Sequence, residues 1–219
     1  MSAAQITVDY VYEKSVESDE ASDVIKKFDY YIFVEIEEHT LYLLQDNKIV
    51  KKYPIASGKP HTPSPIGSWK VITKGDWGGG FGGRWMGLNV PWGTYGIHGT
   101  NRPETIGWAA SHGCIRMRNR DVEELYRLIS HGTPVVISNG QLGPFGRGFR
   151  NISPGDRGAD VFVVQRRLKE LGFYKGYIDG IYGEGMKSAV HSFQRKNGLT
   201  PRNIIGRQEL HIMGFREFE

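Results

Sequence analysis

The chain has 219 residues, 39% of them apolar and 24% charged, with a formal net charge of +4. That length holds one or two domains with a sizeable core, and the composition excludes an intrinsically disordered chain. A single cysteine, Cys114, excludes an intramolecular disulfide, and no apolar run approaches the roughly 20 residues of a membrane-spanning helix.

Residues 1–27 hold 3 basic and 6 acidic side chains and read as a flexible acidic lead-in, with only Ile6, Val8, Tyr10 and Tyr12 alternating like a strand. The opening MSAAQITVDY has neither a charged n-region nor an apolar h-region. The chain therefore reads either as cytoplasmic or as one whose export signal is absent from this sequence. From Asp29 the pattern changes. YYIFVEI (30–36), LYLLQ (41–45) and KIVKKYPI (48–55) are rich in β-branched and aromatic residues, and Asp46-Asn47 is a turn signal between the last two. Three such closely spaced runs predict an antiparallel meander. Pro60, Pro63 and Pro65 interrupt it, and SWKVIT (68–73) resumes strand character.

GDWGGGFGGRWMG (75–87) reads as a glycine-aromatic loop, and TYGIH (94–98) as a strand. One helix follows, with Asn119 as its N-cap, Val122, Leu125, Leu128 and Ile129 on one face and Gly132 at its end. TPVVIS (133–138) closes the segment. Residues 28–139 are thus expected to form a mainly-β, sandwich-like domain with one main helix. Residues 140–152 form a glycine-rich linker. In residues 153–219 the period becomes helical: Val161, Val164, Leu168 and Leu171, then Met186, Ala189, Val190 and Phe193, then Leu210 and Met213. This predicts a small three-helix domain. Residues 140–219 carry 13 basic and 8 acidic side chains, but no dense Lys/Arg tract marks a nucleic-acid partner.

The chemistry concentrates in Ser111-His112-Gly113-Cys114, preceded by Tyr95-Gly96-Ile97-His98-Gly99. Thiolate is the reactive form of cysteine, and a histidine near neutral pKa is suited to take its proton. Gly113 lets the backbone bend and present amides to an oxyanion. On residue chemistry alone this is balanced by the reading of a lone cysteine as a small buried hydrophobe. His98, His112 and Cys114 are N and S donors suited to zinc, but no fourth ligand has motif spacing, so no metal is assigned. Gly78–Gly83 satisfies G-x-G-x-x-G, yet RWMGLNVPWG after it cannot open a helix, and the dinucleotide reading fails. Trp77, Phe81, Trp85 and Trp92 suit either a mobile wall of a substrate cleft or the cover of a hydrophobic cluster.

His98 followed by Ser-His-Gly-Cys-Ile-Arg resembles the signature of the L,D-transpeptidase catalytic domain of the YkuD type. HTLYLLQDNKIVKKYPIASGK, TPSPIGSWKV and DVEELYRLISHGTPVVI extend the resemblance over about residues 29–139. It implies acyl transfer on peptidoglycan stem peptides without a cofactor. Cys114 would be the nucleophile and His98 the base, oriented through a carbonyl near Gly99. The amides of His112, Gly113 and Cys114 would form the oxyanion hole. His112 has two readings, assisting proton transfer or holding the loop. Ser111 would anchor the turn. Arg116 would grip a substrate carboxylate or make an internal salt bridge, and Tyr95, Gly99 and Trp92 would line the substrate site. An amine acceptor gives a 3→3 cross-link, and water makes the same site an L,D-carboxypeptidase.

SPGDRGADVFVVQRRLKELGFYKGYIDGIYGEGMKSAVHSFQRKNGLT is similar to the three-helix peptidoglycan-binding domain of cell-wall hydrolases. It departs from that pattern at Met186 and at Pro201-Arg202-Asn203. The two resemblances imply stem peptides and glycan strands as partners, action at the cell wall outside the membrane, and a monomer. A non-catalytic wall-binding protein is the competing class; the presence of both His98 and Cys114 speaks against it.

Overall fold

The computed structural model describes residues 29–140, 143–146 and 148–216. The acidic lead-in predicted for residues 1–27 lies outside them. Two units are distinguished by their internal contacts: the chain up to Val90 with Thr94–Gly140, and Pro91–Gly93 with the chain beyond Gly140.

In the first unit the predicted meander is β1 (Tyr31–Glu35), β2 (Thr40–Gln45) and β3 (Lys48–Gly58), paired antiparallel in turn. Asp46 and Asn47 both take positive φ, 49° and 59°, which suits the twist of a two-residue hairpin turn. There follow β4 (Gly67–Gly75), β5 (Trp85–Leu88), β6 (Tyr95–His98), β7 (Ala109–Ser111), β8 (Ile115–Met117), helix α1 (Asn119–Leu128) and β9 (Pro134–Ser138).

The sheet runs β2-β1-β9-β4-β5-β6-β8-β3-β7, and the β2–β3 pairing joins its ends so that all strands but β7 form a closed ring. This barrel-like sheet replaces the expected sandwich. The physical reason is the length of β3, 11 residues. Its first part pairs with β2, and its last part with β8 (Ile55↔Met117) and β7 (Ser57↔Ala109). One strand therefore serves both edges, and edge N–H and C=O groups find partners by closure rather than by stacking a second sheet. Ile32, Val34, Leu41, Leu43, Ile97 and Val122 are fully buried. Phe33, Tyr42 and Leu44 point the other way and form a second cluster with Tyr31, Ile49 and Val136.

Two local expectations change. The glycine-aromatic stretch is not all loop, because Trp85–Leu88 pairs with both β4 and β6. Its remaining tip is tied at the base by the reciprocal bonds Trp77 N–H to Gly83 O (3.2 Å) and Gly83 N–H to Trp77 O (2.9 Å). Arg84 clamps it further, bonding Asp76 and, through Nε at 2.5 Å, Glu123 on α1. Asn119 is the first residue of α1 rather than its cap, and its Oδ1 accepts the Thr100 amide at 2.8 Å.

The second unit contains α2 (Ala159–Glu170), α3 (Glu184–Lys196) and α4 (Arg207–Ile212), as the helical period predicts. Val161, Val164, Leu168, Val190, Phe193 and Leu210 fill its core. Two fully buried glutamines hold the loops between the helices. Gln165 Nε2 donates to Asp179 Oδ1 (2.8 Å) and Ile181 O (2.9 Å), and its Oε1 accepts the Gly180 amide (2.7 Å). Gln194 repeats the device one helix later, donating to Ile204 O (3.1 Å) and Glu209 Oε1 (2.9 Å) and accepting from Arg202 N (2.8 Å). Among the described residues no helix is long and apolar enough to cross a membrane.

Candidate active site

The site is built on the parallel pair β6 and β8, whose register sets Ile97 against Ile115 and His98 against Arg116. Between β7 and β8 the chain makes a tight turn through His112, Gly113 and Cys114. Ser111, fully buried, pins it: Oγ donates to Cys114 O at 2.6 Å and accepts the Gly113 amide at 3.0 Å. The Ser111 carbonyl in turn accepts from Lys59 N (3.1 Å) and Thr62 Oγ1 (3.2 Å). Gly113 has φ of 114°, and a Cβ there would lie 2.6 Å from the Tyr95 ring. Only glycine fits this position, on both backbone and steric grounds. Since the Gly113 amide is engaged by Ser111, it is not directed at an incoming oxyanion. Of the three amides expected for that role, those of His112 and Cys114 remain.

His98 ends β6 and is 4% exposed. Its Nδ1 lies 2.5 Å from Gly99 O. A carbonyl only accepts, so Nδ1 carries the hydrogen and the neutral ring keeps Nε2 bare as an acceptor. Phe81 meets the imidazole edge-on at 4.9 Å, and Trp85, its antiparallel partner on β5, lies at 5.7 Å. Trp77 stacks on Trp85 at 4.6 Å. The glycine-aromatic tip thus brackets the histidine. Burial holds the His98 imidazole down at about 4; the Gly99 carbonyl opposes this, and the Arg116 charge adds to it.

Cys114 is partly buried. Burial pushes its thiol above the ordinary range, against a hydrogen bond from the Gly96 backbone and the nearby Arg116 charge. Burial thus shifts both the thiol and the imidazole toward their neutral forms. Arg116 is half-buried, and its Nε is buried without a hydrogen-bond partner. Among the described residues no carboxylate pairs with it. That removes the internal salt bridge from its two readings and leaves a cationic donor free for an anion.

The structure therefore gathers His98, Gly99, Ser111, Gly113, Cys114 and Arg116 at one place, with Tyr95 packed over Gly113. His112 is exposed beside them. Trp92 is not among them. It is 4% exposed within the other unit, its ring 5.4 Å from Phe162 on α2, so its aromatic surface is used in packing rather than in a cleft. Phe81 and Trp85 as neighbours of His98 were not assigned from the sequence; the signal was the aromatic spacing in the glycine run.

The model of the L,D-transpeptidase catalytic domain, YkuD, matches residues 29–137. That of the "Putative peptidoglycan binding domain" matches residues 157–213. The "Putative L,D-transpeptidase YqjB" of Bacillus subtilis is 37% identical over 128 residues, 51% of this chain and 72% of that protein. The chain belongs to the L,D-transpeptidase family. The "Putative L,D-transpeptidase YkuD" of Bacillus subtilis is 46% identical over 110 residues, 50% of this chain. The match spans 66% of that relative's own length. The solved catalytic domain of the Enterococcus faecium L,D-transpeptidase is 31% identical, covering 50% of this chain and 96% of that one, with a TM-score of 0.44. The L,D-transpeptidase domain is here followed by a peptidoglycan-binding domain.

Proposed function

We propose that this chain is a cysteine-dependent L,D-transpeptidase that forms 3→3 cross-links between peptidoglycan stems, working outside the membrane on wall held by its C-terminal domain. The observation that carries the reading is His98 at the end of β6, its tautomer fixed by Gly99, paired with β8, at whose head the turn pinned by Ser111 presents Cys114. Arg116 would receive the carboxylate of the stem's terminal D-alanine through parallel hydrogen bonds.

With the thiol and the imidazole both shifted toward their neutral forms, the proton moves as the bond forms. His98 Nε2 takes the Cys114 proton while the sulfur attacks the carbonyl carbon of the third residue. The amides of His112 and Cys114 receive the oxyanion. The C–N bond to D-alanine then breaks, and its amine leaves with the proton from His98. The side-chain amine of a second stem attacks the thioester, and its proton returns through His98 to the departing sulfur. His112, exposed at the rim, is given no part in this proton path.

The test is intact-mass analysis with a stem tetrapeptide, with and without an amine acceptor, and with a carbapenem as a covalent probe. An adduct on Cys114 and a cross-linked dimer are expected. Tripeptide as the sole product with acceptor present makes the enzyme a carboxypeptidase. A folded protein that forms no adduct with either reagent is a non-catalytic wall binder.

A further inference from the structure

In the peptidoglycan-binding unit the loop between α2 and α3 presents Tyr177 at 91% exposure, the most exposed large apolar side chain described. The backbone beneath it is tied down. Tyr174 Oη donates to Tyr177 O at 2.8 Å, and Lys169 Nζ to Gly176 O at 3.3 Å. Gly176 is required there, since a Cβ would lie 2.5 Å from Tyr174 Oη. Two residues on, Asp179 bonds the Ile181 amide at 2.9 Å, and Gln165 anchors Gly180.

The fold itself does not use the ring. The second loop, after α3, is held by the equivalent glutamine, Gln194, with no outward aromatic. Arg202 in that loop turns inward onto Glu209 at 3.2 Å. Tyr177 is therefore a flat amphipathic surface on a prearranged backbone, with little conformational entropy left to lose on contact. Tyrosine pairs an apolar face with a polar tip, and in a unit matched by a peptidoglycan-binding domain such a ring is placed to meet the ligand.

We propose that Tyr177 is a stacking platform for the glycan strand of peptidoglycan, its ring lying against the apolar C–H face of one amino sugar. This rests on the peptidoglycan-binding reading of the unit. The glycan fits better than the stem. A pyranose offers a rigid, uncharged C–H face matched to an aromatic ring, whereas a stem is flexible and anionic, and Lys169 beneath the loop is already committed to Gly176 O.

The experiment compares the full chain with Tyr177→Ala and Tyr177→Phe in sedimentation with purified sacculi and with glycan strands stripped of stems by an amidase. Tyr177→Ala should weaken binding to both about five- to tenfold, the worth of one aromatic contact. Tyr177→Phe, which keeps the face, should stay within about twofold of wild type. Unchanged binding by Tyr177→Ala overturns the proposal while leaving the domain a peptidoglycan binder. So does wild-type binding to sacculi but not to stripped strands, which makes the stem the ligand. If the wild type does not sediment with sacculi at all, the reading of the whole unit fails, and this proposal with it. Equal thermal midpoints of the three proteins separate binding from folding.

Discussion

In the C-terminal unit Gln165 and Gln194 are fully buried, and each commits both ends of its amide to the loop after its helix. In the catalytic unit Arg116 is half-buried, and its Nε meets nothing. Both cases place polar atoms out of water, but only the glutamines recover the cost within the fold. The C-terminal unit has its own exception in Tyr182 Oη, also buried without a partner. An unpaired neutral hydroxyl costs far less than an unpaired guanidinium N–H, so the contrast survives it. Buried groups that are fully paired define architecture, and a buried guanidinium N–H left unpaired is a donor open to a ligand.

The comparison is broken most sharply at the proposed nucleophile. Cys114→Ala should lower cross-linking and tripeptide release by at least about a thousandfold with the fold intact, as judged by product chromatography and thermal melting. Residual turnover of a few per cent would move the chemistry elsewhere.

Next in size is a paired test of the polar groups. Gln194→Leu strands the Ile204 carbonyl and the Arg202 amide and should cost about 2–3 kcal/mol in denaturant unfolding. Arg116→Met removes no internal partner and should not lower stability, yet should raise KM for a tetrapeptide with a free C-terminal carboxylate about tenfold or more. If both substitutions destabilise equally, Arg116 belongs to the architecture.

A smaller effect is expected at the aromatic bracket. Phe81→Ala frees one side of the His98 ring and should reduce kcat roughly tenfold with little change in KM, and Phe81→Leu should recover most of it. A change confined to the thermal midpoint would make Phe81 purely structural.

The smallest signal is in pH. His98 is held near 4 in the fold, whereas an imidazole in the unfolded chain titrates near ~6.5. Between these values the unfolded chain binds a proton that the native chain does not. This contribution to stability is complete above the unfolded value and is lost as pH falls toward the folded one. The melting temperature should therefore drop between pH 7 and pH 5, and His98→Gln should flatten part of that slope. An unaltered slope would show that other groups set it.

Much of this architecture is written in local pattern. The β-branched runs of β1–β3, the Asp46-Asn47 turn and the helical periods of α1–α3 are each decided by a few neighbouring residues. The ring closure was not legible, because it depends on β3 pairing with residues about sixty positions away. β7 and β8 have three residues each, too few for an alternation to be seen. Cys114, His98 and Arg116 were found through the motif. The commitment of the Gly113 amide to Ser111 and the bracketing of His98 by Phe81 are three-dimensional facts without a linear signature. The packing of Trp92 on Phe162 is hidden for a related reason: aromatic residues near a glycine loop look alike in sequence, whether they line a site or fill a core.

The burial that pushes the Cys114 thiol up has a bearing on survival as well as on chemistry. Peroxide and other oxidants attack thiolate far faster than thiol, and exposed sulfur faster than covered sulfur. A partly buried thiol whose burial disfavours the thiolate offers such reagents less to react with. At the location proposed above no glutathione pool is at hand to reverse sulfenic acid, and no second cysteine in this sequence can trap it as an intramolecular disulfide. The same burial that disfavours the thiolate thus also shields the sulfur from damage.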